Sequence, residues 1–191
     1  EGQPFLEAIR QMRNDMGREN VVYIHVTFLP YLNSTGELKT KPTQHSVNEL
    51  RRIGIQPDVI ICRADYDISD SLRDKISLFC DVEKDAVVPL PTVDTIYKIP
   101  LILEEWGLGR FIVERLNLKE KHPRELSQWQ NLVERIQTPR EPVCIALVGK
   151  YIELNDAYYS VREALYHAAV HNDRELQLFW VHSEELDCPE S

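Results

Sequence analysis

The sequence predicts an α/β protein built on a three-layer parallel sheet, and three observations carry that expectation. Apolar, β-branched runs recur at residues 21–30 (VVYIHVTFLP), 59–63 (VIICR) and 86–90 (AVVPL). The first of these is too apolar for a half-exposed strand and suits the interior of a parallel sheet. Helical patterns separate the runs, at residues 43–53 and 69–79. Strands that alternate with helices imply right-handed crossovers, which lay the strands parallel and put helices on the faces.

The remaining elements follow in chain order. Phe5, Leu6, Ile9, Met12 and Met16 share one helical face. That helix begins directly after Glu1-Gly2-Gln3-Pro4, with no initiator methionine, so the chain reads as opening within a domain. After the third apolar run, Ile96, Leu101, Ile102 and Leu103 mark a further helix, with Pro100 at its first position and Gly107-Leu108-Gly109 ending it. Residues 118–142 shift to Lys, Glu, His, Pro, Arg and Gln, relieved by one amphipathic stretch around Leu126, Trp129, Leu132, Val133 and Ile136. This reads as a linker carrying one helix. A buried strand at 143–148, a Gly149-Lys150 turn, a helix at 156–170 and a strand at 176–181 then start a second unit with too few strands to close a sheet. The expected organisation is a domain at 1–116, a linker at 117–141 and the start of another domain at 142–191.

Composition narrows the function. The 191 residues hold 22 Lys plus Arg against 31 Asp plus Glu, a net charge of -9. Such a chain does not work by coating nucleic acid or an anionic membrane, and any polyanion site must be local. No apolar run approaches the roughly 20 residues of a membrane span. Of the four cysteines, Cys62, Cys80 and Cys144 lie in or beside apolar stretches and Cys188 near the end, without CxxC spacing. They read as reduced thiols of a cytoplasmic protein.

The chemistry concentrates at residues 36–45, GELKTKPTQH, between a strand and a helix, where α/β folds place ligand loops. Lys39 and Lys41 flank Thr40, Pro42 restrains the loop, and Thr43 stands where it can cap a helix whose N-terminus offers free backbone N–H groups. Two ammonium groups, hydroxyls and the Gln44 amide beside a positive helix end make a triphosphate cradle. By spacing alone, a charged loop is more often simply solvated, and Lys75 alone reads as a surface lysine. Elsewhere, Gly149-Lys150-Tyr151 fails the phosphate-loop pattern, because Cys144 stands for its first glycine and Tyr151 for its hydroxyl residue. His167 and His171 have the spacing of a zinc pair but no third ligand, and His25 reads as a packed strand histidine.

The run Lys39-Thr40-Lys41-Pro42-Thr43-Gln44-His45-Ser46-Val47 resembles the CTP synthase family. The likeness continues in Glu1-Gly2 with the following PFLEAIRQ, in residues 54–63 (GIQPDVIICR), 95–100 (TIYKIP) and 147–158 (LVGKYIELNDAY). It implies a glutamine-hydrolysing ligase that makes CTP from UTP, ATP and glutamine. A synthetase domain of P-loop-like, dethiobiotin-synthetase-like fold would phosphorylate the uracil O4, and ammonia from a class I glutaminase domain would displace that phosphate. Residues 1–116 would then be the C-terminal part of the synthetase domain, and 142–191 the start of the glutaminase.

By the same resemblance, Lys39, Thr40, Lys41, Pro42, Thr43 and Gln44 would bind the UTP substrate and the CTP inhibitor, with Lys75 on the same triphosphate. Glu1 would contribute to CTP feedback inhibition, and Phe79 would line the inhibitory base pocket. Pro91, Thr92 and Val93 would lie against the ATP base, where the family often has a charged residue and Asp before the valine. Magnesium would accompany ATP and UTP on ligands outside this segment, GTP would activate, and the protein would assemble as a homotetramer. The resemblance also implies that no catalytic residue falls within this segment, so the segment alone is expected to be inactive. The rival readings are a non-catalytic nucleotide-binding or assembly module of the same fold, and a ligase related to dethiobiotin synthetase. The KTKPTQH run argues against the second.

Overall fold

In the computed structural model, which describes residues 2–119, 125–154 and 156–186, the chain divides into two compact units after Glu125. The first runs α1 (Gln3–Met16), β1 (Ile24–Phe28), a hairpin of β2 (Tyr31–Leu32) and β3 (Glu37–Leu38), α2 (Lys41–Arg52), β4 (Val59–Ala64), α3 (Asp70–Cys80), β5 (Val87–Pro91), α4 (Ile99–Glu105) and α5 (Leu108–Arg115). Strands β1, β4 and β5 pair in parallel in that order, with His25 opposite Ile60 and Cys62 opposite Pro89.

The alternation of side chains along β4 builds both layers of the core. Ile60, Cys62 and Ala64 pack with Val47 of α2 and with Ile76 and Cys80 of α3. Val59 and Ile61 face the other way, onto Leu108 of α5 and the Ile99, Ile102 and Leu103 side of α4. Leu6 of α1 packs on a third cluster of Val21, Tyr23 and Ile55. The result is the expected arrangement of helices on both faces of a parallel sheet.

Two polar anchors hold these layers together. Asp58 accepts from the Tyr23 backbone N–H at 2.8 Å, pairs with Arg13 of α1 through the same oxygen, and receives Arg115 of α5 at 3.3 Å. Arg73, only 7% exposed, donates to the carbonyls of Val87 and Lys84, both at 3.1 Å, and to Asp70 at 2.9 Å. Its guanidinium lies over the Trp106 ring, 4.6 Å from the centroid.

Two expectations need correction in this unit, and one helix is unforeseen. Among the described residues the run at 21–30 is not interior: β1 stands at the edge of the sheet, and Ile24, Val26 and Phe28 are 41%, 56% and 45% exposed. Helices α4 and α5 cover only the β4 and β5 part of that face. Residues 36–38, read as part of a loop, pair with residues 31–32 in a hairpin. Gly107 follows the end of α4 as expected, but a further helix takes up directly behind it. Gly107 takes a left-handed φ of 74°, and α5 starts at the next residue with Leu108, Phe111 and Ile112 facing the core.

The second unit comprises α6 (Ser127–Gln137), β6 (Pro142–Gly149), α7 (Tyr159–His171) and β7 (Glu175–His182). Strand β6 pairs in parallel with β7, Val143 opposite Leu176. The helix expected within the linker is α6, and it belongs to this unit. Arg135 of α6 donates to the Val170 and His171 carbonyls at the end of α7, and Arg140 also reaches Val170. These guanidinium groups satisfy carbonyls that a helix end leaves free. Both also meet Asp173, whose carboxyl the Arg135 hydrogen bond holds below its usual value.

Strand β6 is not buried as expected, since Cys144, Ala146 and Val148 alternate onto an exposed face. At Gly149 the constraint is contact rather than φ. A Cβ there would sit 2.4 Å from the Tyr158 hydroxyl, which accepts from the Lys150 backbone N–H at 3.2 Å. Cys62 and Cys80 are buried free thiols, and burial pushes Cys62 up to about 12. Cys144 is exposed, against expectation, and Cys188 lies outside the described residues. Among the described residues no helix is long and apolar enough to cross a membrane.

Candidate functional site

The segment at 36–45 is not one loop. Tyr31 pairs with Leu38 and Leu32 with Glu37, and the hairpin closes through Gly36, whose N–H donates to the Leu32 carbonyl at 2.8 Å with φ 65°. A side chain at that φ would be strained, so glycine suits the turn. The Lys39 N–H then donates to the Pro30 carbonyl at 2.9 Å, which fixes where the chain leaves the hairpin. Thr40 is the N-cap residue and α2 begins at Lys41, with Pro42 in its first turn where a missing N–H costs nothing.

Thr43 therefore does not cap the helix. It lies inside the first turn, fully buried, and its hydroxyl bonds Thr27 of β1 at 2.9 Å. Thr40 is also buried, and its hydroxyl accepts from the Gln44 side-chain amide at 3.1 Å. Ser46 donates to the Thr43 carbonyl at 2.9 Å and meets His25 Nε2 at 2.8 Å. The serine proton is committed to the carbonyl, so Ser46 accepts from a neutral His25 protonated on Nε2. Burial lowers the pKa of His25, which favours that neutral form. The inner side of the motif is thus a set of polar pairs seating α2 on β1. For the Thr27–Thr43 pair, Thr43→Val is expected to cost about 1 kcal/mol in urea unfolding. The Thr27→Val/Thr43→Val double variant should recover much of that loss, because neither hydroxyl is then left buried alone.

The outer side carries the charge. Lys39 forms an ion pair with Glu37. The Lys39 hydrogen bond holds the Glu37 carboxyl below its usual value, with a smaller contribution from Lys75 of α3. The charge of Lys75 is thus felt at the carboxylate that Lys39 pairs with, although 36 positions of sequence separate the two lysines. Lys41 is exposed beside them on the first turn of α2 and has no ion pair among the described residues. The positive end of α2 adds its backbone N–H groups. Phe79, one helical turn beyond Lys75, is 53% exposed, and Glu1 lies outside the described residues.

Pro91 ends β5, and Thr92 and Val93 follow it, at the C-terminal end of the sheet. Thr92 donates through its N–H to the Ala64 carbonyl at 2.8 Å and through its hydroxyl to Asp65 at 2.6 Å. Pro91 borders a cavity of about 310 Å³ walled by Tyr66, Ile68, Pro89, Ile102 and Trp106. Tyr66 in turn stacks against Tyr31 of the hairpin, ring centroids 4.2 Å apart. The sequence reading missed two charged groups here. Glu37 sits among the lysines, and Arg63 interrupts the buried run of β4 as its one exposed residue. Only the second left a signal, a cation inside an otherwise apolar strand.

Comparison with known proteins identifies the chain's relatives. Residues 1–118 match the family model described as CTP synthase N-terminus. The CTP synthase of Dehalococcoides mccartyi is 68% identical over 187 residues, which is 98% of this chain and 34% of that protein. That of a Roseiflexus species is 59% identical over 98% of the chain and 33% of its own length. That of Methanocaldococcus jannaschii is 54% identical over 100% of the chain and 35% of its own length. The chain spans about a third of the length of these curated relatives. A family model across most of the first unit, and relatives this similar along nearly the whole sequence, show that the chain belongs to the CTP synthase family.

Proposed function

We propose that this chain is a segment of a glutamine-hydrolysing CTP synthase, and that its own task is to grip the triphosphate of UTP and CTP. The observation that carries the reading is the basic start of α2, where Lys39, paired with Glu37, and the exposed Lys41 flank Thr40 at the helix N-cap, with the charge of Lys75 felt at Glu37 from α3. Ammonium groups and helix N–H donors bind phosphate oxygens by charge-assisted hydrogen bonds. Substrate and product carry the same triphosphate, so one cradle serves both and lets CTP compete with UTP. The buried Thr40 and Thr43 hydroxyls take no part through their side chains. They hold the first turn of α2 in place, which leaves its backbone for the ligand.

In this reading the parent enzyme phosphorylates UTP at O4 with ATP, and ammonia from glutamine replaces the phosphate. The ATP base lies against Pro91, Thr92 and Val93, while Glu1 and Phe79 serve CTP inhibition. The second unit, with its parallel β6–α7–β7 arrangement, is consistent with the start of a class I glutaminase domain. GTP activation and a homotetramer belong to the same proposal. Magnesium would enter with ATP and UTP.

The test is CTP formation by the full-length protein from UTP, ATP, magnesium and ammonium. Lys41→Ala is expected to raise the UTP half-saturation roughly 10- to 100-fold, the worth of one charge-assisted contact. An unchanged UTP half-saturation would sink the triphosphate reading.

A further inference from the structure

One carboxylate stands among the lysines, where a site built for an anion has no evident use for it. Glu37 and Lys39 are two residues apart in extended chain, so both side chains leave the same face. Their pairing is built in by the backbone. Glu37 is held opposite Leu32, and the Lys39 N–H is tied to the Pro30 carbonyl at 2.9 Å. The charge of Lys75 reaches the same carboxylate from α3. Glu37 thus receives what a phosphate oxygen would receive here: an ammonium contact and the field of a second ammonium. The geometry points to Glu37 as an internal stand-in for a ligand phosphate, which orients Lys39 while the site is empty and releases it when the triphosphate arrives.

This rests on the triphosphate reading above and adds a cost to it. An exposed pair of this kind contributes little stability, so a ligand displaces it easily. The displaced carboxylate nevertheless stays tethered near several phosphate charges and repels them. Glu37 therefore weakens binding and speeds release. In a site that must exchange one nucleoside triphosphate for another, that is a regulatory setting rather than a defect.

The experiment measures binding of UTP and of inorganic tripolyphosphate to the full-length protein carrying Glu37→Gln or Lys41→Ala. Glu37→Gln keeps the size and the hydrogen-bonding carbonyl but removes the charge. It is expected to tighten both ligands about 5-fold, the gain shrinking as salt screens it. Lys41→Ala should weaken both. If Glu37→Gln leaves affinity unchanged while Lys41→Ala weakens it, the stand-in is wrong and the triphosphate site stands. If Glu37→Gln weakens binding, Glu37 only positions Lys39, and the stand-in is again overturned. If Lys41→Ala has no effect, the triphosphate reading fails and the stand-in falls with it.

Discussion

Replacing Asp58 with alanine is expected to destabilise the first unit by about 3–5 kcal/mol, the range found when one partner of a buried ion pair is removed. Asp58 is shielded on all sides. Its side chain is 14% exposed, Arg13 beside it is 16% exposed, and the Arg13 Nε has no hydrogen-bond partner of its own. The Arg13 guanidinium also lies on the Tyr23 ring, 3.9 Å from its centroid, and so cannot swing into water without losing that contact. Without Asp58 a nearly buried cation keeps only the Val21 carbonyl, at 3.4 Å. The Tyr23 N–H loses its acceptor at the point where β1 begins. Asp58→Asn keeps an acceptor for that N–H and removes only the charge, so it should cost about half as much. Urea unfolding followed by hydrogen exchange at β1 and β4 amides measures both. A loss under about 1 kcal/mol for the alanine variant would show that Arg13 finds another partner.

Arg73 carries the second large effect. It joins α3 to the start of β5 with three donors pointing in fixed directions, to the Val87 and Lys84 carbonyls and to Asp70. Arg73→Ala is expected to cost about 3–4 kcal/mol, from the orphaned Val87 carbonyl, the lost bonds to Asp70 and to the Lys84 carbonyl, which keeps the Val87 N–H, and the lost contact with Trp106. Arg73→Lys keeps the charge, yet a single ammonium cannot serve three directions, so about 2 kcal/mol should still be lost. The same unfolding measurement decides. Lysine performing as well as arginine would mean that charge, rather than the planar fork, is what this position needs.

Neither residue announces itself in sequence. Arg73 sits in a helix rich in Asp, Ser and Lys, where an arginine reads as surface, and only the contact with Trp106 and β5 shows that it points inward. The alternation of strand and helix was legible because β-branched apolar runs and amphipathic helices have different periods. What covers each strand was not. The run at 21–30 reads the same whether its face is buried or, as in β1, left bare. The hairpin escaped notice because strands of two residues are too short to show alternation, and α5 because Gly109 looked like punctuation.

The site shows the same division. Lys39 and Lys41 were legible from their place between a strand and a helix, and Lys75 joined them only through the resemblance. The direction of the threonines was not legible, because a hydroxyl beside two lysines looks like a ligand group until the fold turns it toward Thr27. The opposition of Glu37 to the lysines was hidden for another reason. It arises from hairpin register, which no local pattern encodes.

The two rims of the first sheet differ in kind. On β5, the Thr92 N–H bonds inward to Ala64, so Val88 and Leu90 share that inward phase while positions 89 and 91 face away from β4. Both outward positions are proline, and that rim has no donors to offer there. On β1 the Leu29 N–H bonds inward to Arg63, which leaves the amides of Ile24, Val26 and Phe28 pointing outward from an apolar ribbon. Lateral growth of this sheet is therefore one-sided. Any added strand, whether from the same polypeptide, a sister molecule or an aggregate, finds a hydrogen-bonding partner at β1 and a sealed border at β5.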